Sequence, residues 1–345
     1  MSIFDAIESG EVYFIAEMSG NHGGSLDKAL EIVRAAAEAG ANCLKTQTFT
    51  PDTITLDSNA EDFLALKESL WEGRTLYDLY AEAYTPWEWM PVIKSECEAL
   101  GMDFLSSVFD FSSIEYLENL GVSAYKIASP ELIDLPLIRY AASMMKPMII
   151  SCGMGSKEEI GDAVQACKDV GNNQIILLKC TSEYPAVYED MNIAVIPDMR
   201  DRFGCEVGLS DHSLGYVADV VAVSMGASVI EKHFCITRED ETVDSAFSME
   251  CGEYADMVHN VTLAKQAMGT TSYELSDNEK KGLPGRRSLY ATTDIKQGEI
   301  FTHENVRSVR PAHGLEPKYL DALMGKVSPR DIPFAHPIKF SDLDN

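Results

Sequence analysis

Gly208-Leu-Ser-Asp-His-Ser-Leu-Gly215, followed by Val229-Ile-Glu-Lys-His-Phe234, is the stretch on which the fold turns. Each lies at the end of a short apolar run, Cys205–Leu209 and Ala227–Ile230, and each sets a histidine just past that run. Tyr216–Met225 between them reads as a helix. A strand–helix–strand unit makes its two strands parallel and adjacent, so His212 and His233 would emerge side by side at one sheet edge. Imidazole suits manganese, iron, zinc or cobalt, and a two-histidine site leaves positions open for substrate and water. Two histidines on neighbouring loops can equally be hydrogen-bonded residues with no metal between them.

The same alternation runs outward in both directions. Strand-like segments fall at Tyr13–Ala16, Cys43–Thr46, Asp103–Ser106, Ala124–Ile127, Met148–Ser151, Ile175–Lys179, Glu206–Leu209 and Val229–Glu231. Between them lie amphipathic stretches such as Leu26–Ala39, Pro86–Leu100, Ile114–Leu120, Leu135–Ser143, Lys157–Val170 and Val217–Ser224. Leu26–Ala39 has apolar residues at helical spacing, Ser25 as N-cap and Gly40 at its end. Eight apolar β–α pairs predict an α/β chain built on a parallel (β/α)8 TIM barrel rather than an open doubly wound sheet. No G-x-G-x-x-G follows the first strand, which argues against a dinucleotide site. A long insertion, from about Pro51 to Tyr84, carries Trp71-Glu-Gly-Arg-Thr-Leu-Tyr-Asp-Leu-Tyr80. It reads as a helical elaboration that either shapes the active site or packs its own aromatics.

The last barrel helix is expected at Glu253–Met268. This gives a barrel domain over 1–270, a polar linker over 271–285 and a β-rich tail over 286–345. The tail has strand-like pieces at Ser288–Ala291 and Val306–Val309 and the turn Asp294-Ile-Lys-Gln-Gly298. About sixty residues are too few to carry demanding chemistry alone.

Composition narrows the function. With 46% hydrophobic residues the chain can bury a large core, so disorder is excluded. A net charge of −27 argues against nucleic acid, whose phosphates need a basic surface. An anionic substrate would need a local group of lysines working against that field. The eight cysteines show no C-x-x-C pairing and mostly sit in apolar stretches, as small buried hydrophobes do. No apolar run reaches the roughly 18 residues of a membrane span. The first residues lack the basic and apolar regions of a signal peptide, so a cytoplasmic protein is expected.

Barrel active sites form at the C-terminal ends of the strands, and polar residues gather there. They are Glu17 with Asn21-His22, Lys45-Thr-Gln47, Ser106-Ser107, Lys126 with Ser129-Pro-Glu131, Ser151-Cys-Gly153, Lys179 with Ser182-Glu-Tyr184, Ser210-Asp211-His212 and Lys232-His233. An unpaired ammonium is costly to bury, so Lys45 and Lys126 either face an anionic ligand or pair with a buried glutamate. Ser129, Ser151, Ser182 and Ser210 are singly ordinary turn residues. Together with two lysines they suit a phosphate and a carboxylate, which need several short-range donors. Glu17 is either a partner of Lys45 or a catalytic group, and His22 either caps the first helix or touches substrate.

Phe14-Ile-Ala-Glu17 with Asn21-His22, Lys45-Thr-Gln47, Tyr125-Lys-Ile-Ala-Ser129, Lys179-Cys-Thr181, Gly208-Leu-Ser-Asp-His212 and Glu231-Lys-His-Phe234 resemble the sialic acid synthase family. Asp294-Ile-Lys-Gln-Gly-Glu299 and Val309-Arg-Pro311 in the tail resemble that family's antifreeze-like (SAF) domain. The resemblance covers nearly the whole chain in order. Gln47-Thr-Phe-Thr-Pro-Asp-Thr-Ile-Thr-Leu56, Leu70-Trp-Glu-Gly-Arg74, Thr85-Pro-Trp-Glu-Trp89 and Glu189-Asp-Met-Asn192 look most like its pseudaminate-forming branch. Arg287-Ser-Leu-Tyr290, Val306-Arg-Ser-Val-Arg-Pro311 and Gly314-Leu-Glu-Pro-Lys318 add to that likeness.

The resemblance implies a transferase that condenses phosphoenolpyruvate with an N-acetylated amino sugar and releases phosphate. In this branch the sugar would be 2,4-diacetamido-2,4,6-trideoxy-L-altrose. It implies a divalent metal, Mn2+ ahead of Mg2+ or Co2+, on His212 and His233. Phosphate contacts would come from Lys126, Ser129, Ser151, Ser182 and Ser210, and carboxylate contacts from Lys45 and Ser107. Glu17, Gln47, Glu131 and Tyr184 would lie near the sugar and the reacting carbons. A domain-swapped homodimer is implied, with Arg310 of one subunit's tail reaching the partner's barrel. Ser182 and Ser107 replace an asparagine and a threonine of the neuraminate-forming branch, which weakens the case for that product. Arg330-Asp-Ile-Pro-Phe-Ala-His336 lacks the family's usual lysine-glycine turn, so the pairing of the last strand is left open. The rivals are a legionaminate or N-acetylneuraminate synthase, a metal-dependent aldolase (with Lys126 conceivable as a Schiff-base lysine) and a non-catalytic sugar-binding protein.

Overall fold

The structure is a computed structural model describing residues 3–67 and 69–343. Eight strands follow one another in the first unit: β1 (Tyr13–Glu17), β2 (Cys43–Thr48), β3 (Asp103–Val108), β4 (Tyr125–Ile127), β5 (Met148–Ser151), β6 (Ile175–Cys180), β7 (Glu206–Asp211) and β8 (Val229–Cys235). All neighbours pair in parallel, and β8 pairs back onto β1 from Tyr13↔Val229 to Glu17↔His233, which closes a TIM-like barrel.

Side chains alternate across each strand, and the two faces make two different cores. Tyr13, Ile15, Cys43, Leu105, Ile149, Ile176, Leu178 and Val229 fill the barrel interior, with Ile3 and Ala6 of the helix Ile3–Glu8 packed against them. Phe14, Ala16, Leu44, Phe104, Ile150, Leu177, Leu209, Ile230 and Phe234 belong to the larger core, shared with the surrounding helices. The helix Leu26–Glu38 shows the local logic. Ser25 accepts from the Lys28 N–H at its start, Ala29, Ile32, Val33 and Ala36 form its buried stripe, and Gly40 turns the chain at a φ of 93°.

Strand pairing runs further toward the C-terminal end than apolar patterning predicts. β2 continues to Thr48, β7 to Asp211 and β8 to Cys235. His233 therefore lies within its strand, directly across from Glu17, while His212 is the first residue past β7. Pro86–Leu100 opens as a 3-10 turn at Trp87–Trp89 before the α-helix Met90–Ala99. The insertion folds into the helices Pro51–Ile54 and Leu76–Ala83, with Leu64 bridged to Thr75. A two-residue strand, β9 (Met249–Glu250), pairs with the end of β8 and leads into the helix Cys251–Met268. No helix among the described residues is long and apolar enough to cross a membrane.

The chain divides into two compact units, the first ending at Gly269 and the second beginning at Thr270. In the second unit β10 (Ser288–Ala291) pairs antiparallel with β11 (Val306–Val309) over a core of Leu289, Ile295, Phe301, Leu315, Leu323, Ile332 and Ile338. Its last segment makes single bridges, Ile332 to Ile295 and Pro337 to Tyr290, in place of a continuous strand.

Candidate functional site

Barrel register brings the polar strand ends together. Glu17 lies opposite Lys45 on one side and His233 on the other; Gln47 faces Ser107, Ser107 faces Lys126, and Ser210 faces Glu231. Both lysines are buried, so each must be compensated. Lys45 Nζ stands 2.7 Å from Glu231 Oε1 and 3.2 Å from Glu17 Oε2. Lys126 Nζ lies 3.6 Å from that same Glu231 oxygen and donates to Ser151 Oγ at 2.7 Å and to the Ile127 carbonyl at 3.2 Å.

Burial works against the Glu231 charge, but Lys126 and Lys45 outweigh it, with the Ser210 hydroxyl donating at 3.0 Å, and hold the carboxyl at about 2. Burial likewise opposes the Lys45 charge; Glu17 and Glu231 overcome it and raise its pKa. Lys126 is pulled down by burial, with Glu231 opposing. Glu17 is pushed up by burial, with Lys45 opposing. One lysine shared between two carboxylates leaves the more distant one, Glu17, less compensated. Glu17 Oε2 is within ion-pair distance of Lys45 but has no well-aligned hydrogen bond among the described residues. Gln47 Nε2 donates to Glu17 Oε1 at 2.9 Å and to Ser19 Oγ at 3.0 Å.

Beside the lysines, hydroxyls crowd a glycine. Ser129 Oγ accepts the Gly153 N–H at 3.0 Å. A Cβ at Gly153 would stand 2.3 Å from Ser182 Oγ and 2.8 Å from Ser129 Oγ. Ser151 has an oxygen lone pair engaged by Lys126, which leaves its hydroxyl proton free to point at a ligand, whereas the Ser129 hydroxyl also bonds the Cys180 side chain. This is a cradle of short-range donors next to two cations. Glu131, in the turn Ser129–Ile133, is half-buried, and burial pushes its carboxyl up to about 7.

On the β6–β8 side the two imidazole rings stand 5.4 Å apart. His212 Nδ1 lies 2.9 Å from the Thr181 carbonyl, to which it donates, and in the neutral ring this leaves Nε2 with a free lone pair. His233 Nδ1 is buried with no partner among the described residues. Burial, with His212 and Lys45 nearby, holds the His233 imidazole well below its usual range and therefore neutral. Burial works against the His212 charge, but Cys180 and the Thr181 carbonyl outweigh it and raise its pKa; with both rings neutral, one nitrogen from each could hold a divalent ion. No cluster of three or more His, Cys, Asp or Glu side chains able to hold a metal occurs among the described residues, so any ion would take its remaining ligands from substrate and water. Tyr184 packs on the His212 ring at 4.3 Å, Phe247 lies 5.0 Å from both Tyr184 and His233, and Trp71 lies 6.0 Å from Tyr184.

Two residues depart from the expected set. Glu231, read from sequence only as part of a motif, is the carboxylate within ion-pair distance of both lysines. Its signal was its place two residues before His233, on the same strand face. His22 turns out to be held on both sides: Nδ1 accepts from the Gly24 N–H at 3.1 Å and Nε2 faces Thr85 Oγ1 at 3.2 Å, while burial lowers its pKa to about 4. Trp71 explains the insertion, since its ring reaches Tyr184 while its Nε1 donates to the Val243 carbonyl. Arg310 belongs to the second unit, where it follows β11 and is exposed.

The profile of the NeuB family matches residues 32–273 and that of the SAF domain residues 286–344. Pseudaminic acid synthase from Campylobacter jejuni subsp. jejuni serotype O:23/36 is 45% identical over 332 residues, 96% of each chain. N,N'-diacetyllegionaminic acid synthase from Legionella pneumophila is 35% identical, covering 91% of this chain and 89% of its own. Among solved structures, spore coat polysaccharide biosynthesis protein SpsE from Bacillus subtilis superposes with a TM-score of 0.65 at 31% identity, covering 97% of this chain and 96% of that one.

Proposed function

The chain belongs to the NeuB family, and we propose that it is a pseudaminic acid synthase. It condenses phosphoenolpyruvate with 2,4-diacetamido-2,4,6-trideoxy-L-altrose, taking up water and releasing phosphate to form a nine-carbon 2-keto acid. The observation that carries the reading is the buried lysine pair sharing Glu231, set against the hydroxyl cradle around Gly153. A ligand with both a carboxylate and a phosphate matches two cations and several short donors. The choice of sugar rests on the 45% identical relative, against 35% for the legionaminic acid synthase.

Lys126 and the hydroxyls of Ser129, Ser151, Ser182 and Ser210 hold the phosphate; Lys45 and Ser107 hold the carboxylate. Fixing both ends aims C3 of phosphoenolpyruvate at the aldehyde carbon of the open sugar. Addition of water at C2 and C–O cleavage then expel phosphate into the site that already binds it. Glu17, the less compensated carboxylate, moves the proton at sugar opening or at water addition. Gln47, which donates to it, keeps it oriented, while Glu131 and Tyr184 line the sugar's place. His212 and His233 would hold a divalent ion, Mn2+ ahead of Mg2+ or Co2+, which when bound polarises the aldehyde as a Lewis acid. Arg310 is the tail's contribution, delivered to a partner subunit's barrel in a domain-swapped homodimer. The setting is cytoplasmic, where phosphoenolpyruvate is made.

Phosphate release is the test. Metal-stripped protein with Mn2+ restored is assayed with phosphoenolpyruvate and a panel of the altrose derivative, the legionaminate precursor and N-acetylmannosamine. Release with the altrose sugar alone supports the assignment. Release with another sugar overturns the sugar and keeps the reaction, and no release with any of the three overturns the synthase reading.

A further inference from the structure

Behind the histidine pair lies a charged cluster that the chemistry above does not use. Lys232, Asp211 and Asp219 are all buried. Alternation along β8 turns Lys232 to the helix-facing side, opposite to Glu231 and His233. Its Nζ donates to Asp211 Oδ2 and, at 2.7 Å, to the Ser213 carbonyl, and it stands 3.8 Å from Asp219 Oδ2. Asp211 in turn accepts from the Ser213 N–H at 2.8 Å and the Ser213 hydroxyl at 3.0 Å. Tyr254, from the last barrel helix, is fully buried, and its hydroxyl has no partner among the described residues.

Three buried titratable groups in a helix–sheet layer are expensive, with burial and Asp211 pushing the Asp219 carboxyl well up, and well-packed apolar residues would serve stability as well or better. What they do here is local. Every bond of Lys232 and Asp211 just described, apart from the contact with Asp219, ends on residues 211–213, the segment that brackets His212. The lysine that makes them is the chain neighbour of His233. One side chain on β8 thus ties down the backbone on both sides of the ligand carried by β7. The Thr181 carbonyl holds the ring of that ligand from the other direction, at 2.9 Å.

We propose that Lys232, acting through Asp211 and Ser213, is a positioning residue that sets the separation of His212 and His233 and so the affinity for the divalent ion. This rests on the reading of those histidines as metal ligands. The clamp touches neither Lys45 nor Lys126, so it acts on the metal and leaves the phosphoenolpyruvate site alone.

The experiment compares full-length wild type with Lys232→Met and with the double variant Asp211→Asn/Lys232→Met. The double variant removes the lysine together with the carboxylate it bonds and leaves Asp219, whose carboxyl burial already pushes well up toward its neutral form, which keeps a folded protein available. Mn2+ affinity is read from the electron paramagnetic resonance signal of free Mn2+, and phosphoenolpyruvate affinity from calorimetry on metal-free protein. The Mn2+ dissociation constant is expected to rise by about tenfold or more, the size of effect seen when a ligand's supporting shell is cut, with phosphoenolpyruvate affinity unchanged. Wild-type Mn2+ affinity in a folded double variant overturns the clamp, as does an equal weakening of both ligands, which would mean general loosening. A wild-type chain that binds no Mn2+ overturns the metal reading itself, and is thereby told apart from failure of the clamp alone.

Discussion

Glu231→Gln removes the carboxylate that both buried lysines share while keeping the side chain's size. The gap between its ordinary 4.5 and about 2, at about 1.4 kcal/mol per pH unit, corresponds to roughly 3 kcal/mol of stabilisation in the ligand-free protein. That agrees with the roughly 3–5 kcal/mol lost when one partner of a buried pair is deleted and the other stays charged. A carboxyl held low in the folded state contributes in full above its unfolded value near 4.5 and loses that contribution as the pH falls toward about 2. An assay near neutrality therefore reads the whole amount. For a unit of this size the melting midpoint should drop by roughly 5 °C.

Phosphoenolpyruvate should reverse much of that loss. A ligand that binds only the folded state stabilises it through its own affinity, and on the proposed roles this one brings two anionic groups to the lysines that the variant leaves uncompensated. The rise in midpoint on adding saturating phosphoenolpyruvate is accordingly expected to be larger for Glu231→Gln than for wild type. Differential scanning calorimetry of metal-free protein at fixed protein concentration, with and without the ligand, measures both quantities. An unchanged ligand-free midpoint, or equal ligand-induced shifts in the two proteins, would show that Glu231 is not what balances the lysines.

Gly153→Ala should fold but lower kcat/KM for phosphoenolpyruvate by about 100-fold, because its Cβ would meet Ser182 Oγ at 2.3 Å and displace the cradle; steady-state phosphate release checks this. The kcat/KM profile should show an inflection near 7, where burial places the Glu131 carboxyl, and Glu131→Gln should remove it. His22, held neutral in the folded state at about 4 against an ordinary 6.5, takes up its proton first when unfolded. Stability should thus fall by roughly 3 kcal/mol as pH drops from about 6.5 to about 4, and His22→Gln should flatten that slope in denaturant titrations.

Apolar runs marked all eight strands, because a strand buried on both faces announces itself by composition. They did not mark where the strands stop. Lys45-Thr-Gln-Thr48 and Glu231-Lys-His-Phe-Cys235 keep their backbone pairing through polar residues, whose side chains are polar because the site needs them. Hydropathy reads burial, whereas pairing belongs to the backbone, and the two part company where function begins. The helix Ile196–Phe203 escapes periodicity for another reason: Ile196 and Met199 are its only buried residues, too short a stripe to register. Glu231 could be placed on a strand from sequence, but its contact with Lys45 crosses β1 and exists only once β8 has closed onto it. Trp71 is similar, since nothing local says that the insertion folds back to Tyr184.

An acidic chain that binds an anion invites the expectation of an open positive funnel, and the site is built otherwise. Lys45 and Lys126 are balanced by Glu17 and Glu231, so the lysines add little net positive charge to set against a net charge of −27. Attraction then comes from exchange at short range. On the proposed roles the ligand's carboxylate and phosphate would take over lysine contacts that the glutamates hold, and the Ser151 hydroxyl, which accepts from Lys126, would find an acceptor for its proton. Exchange of this kind favours a molecule that presents two anionic groups at a fixed spacing, since one group alone would displace a glutamate without satisfying the cradle. Selectivity for phosphoenolpyruvate over inorganic phosphate or pyruvate would then follow from the same carboxylates that balance the buried lysines.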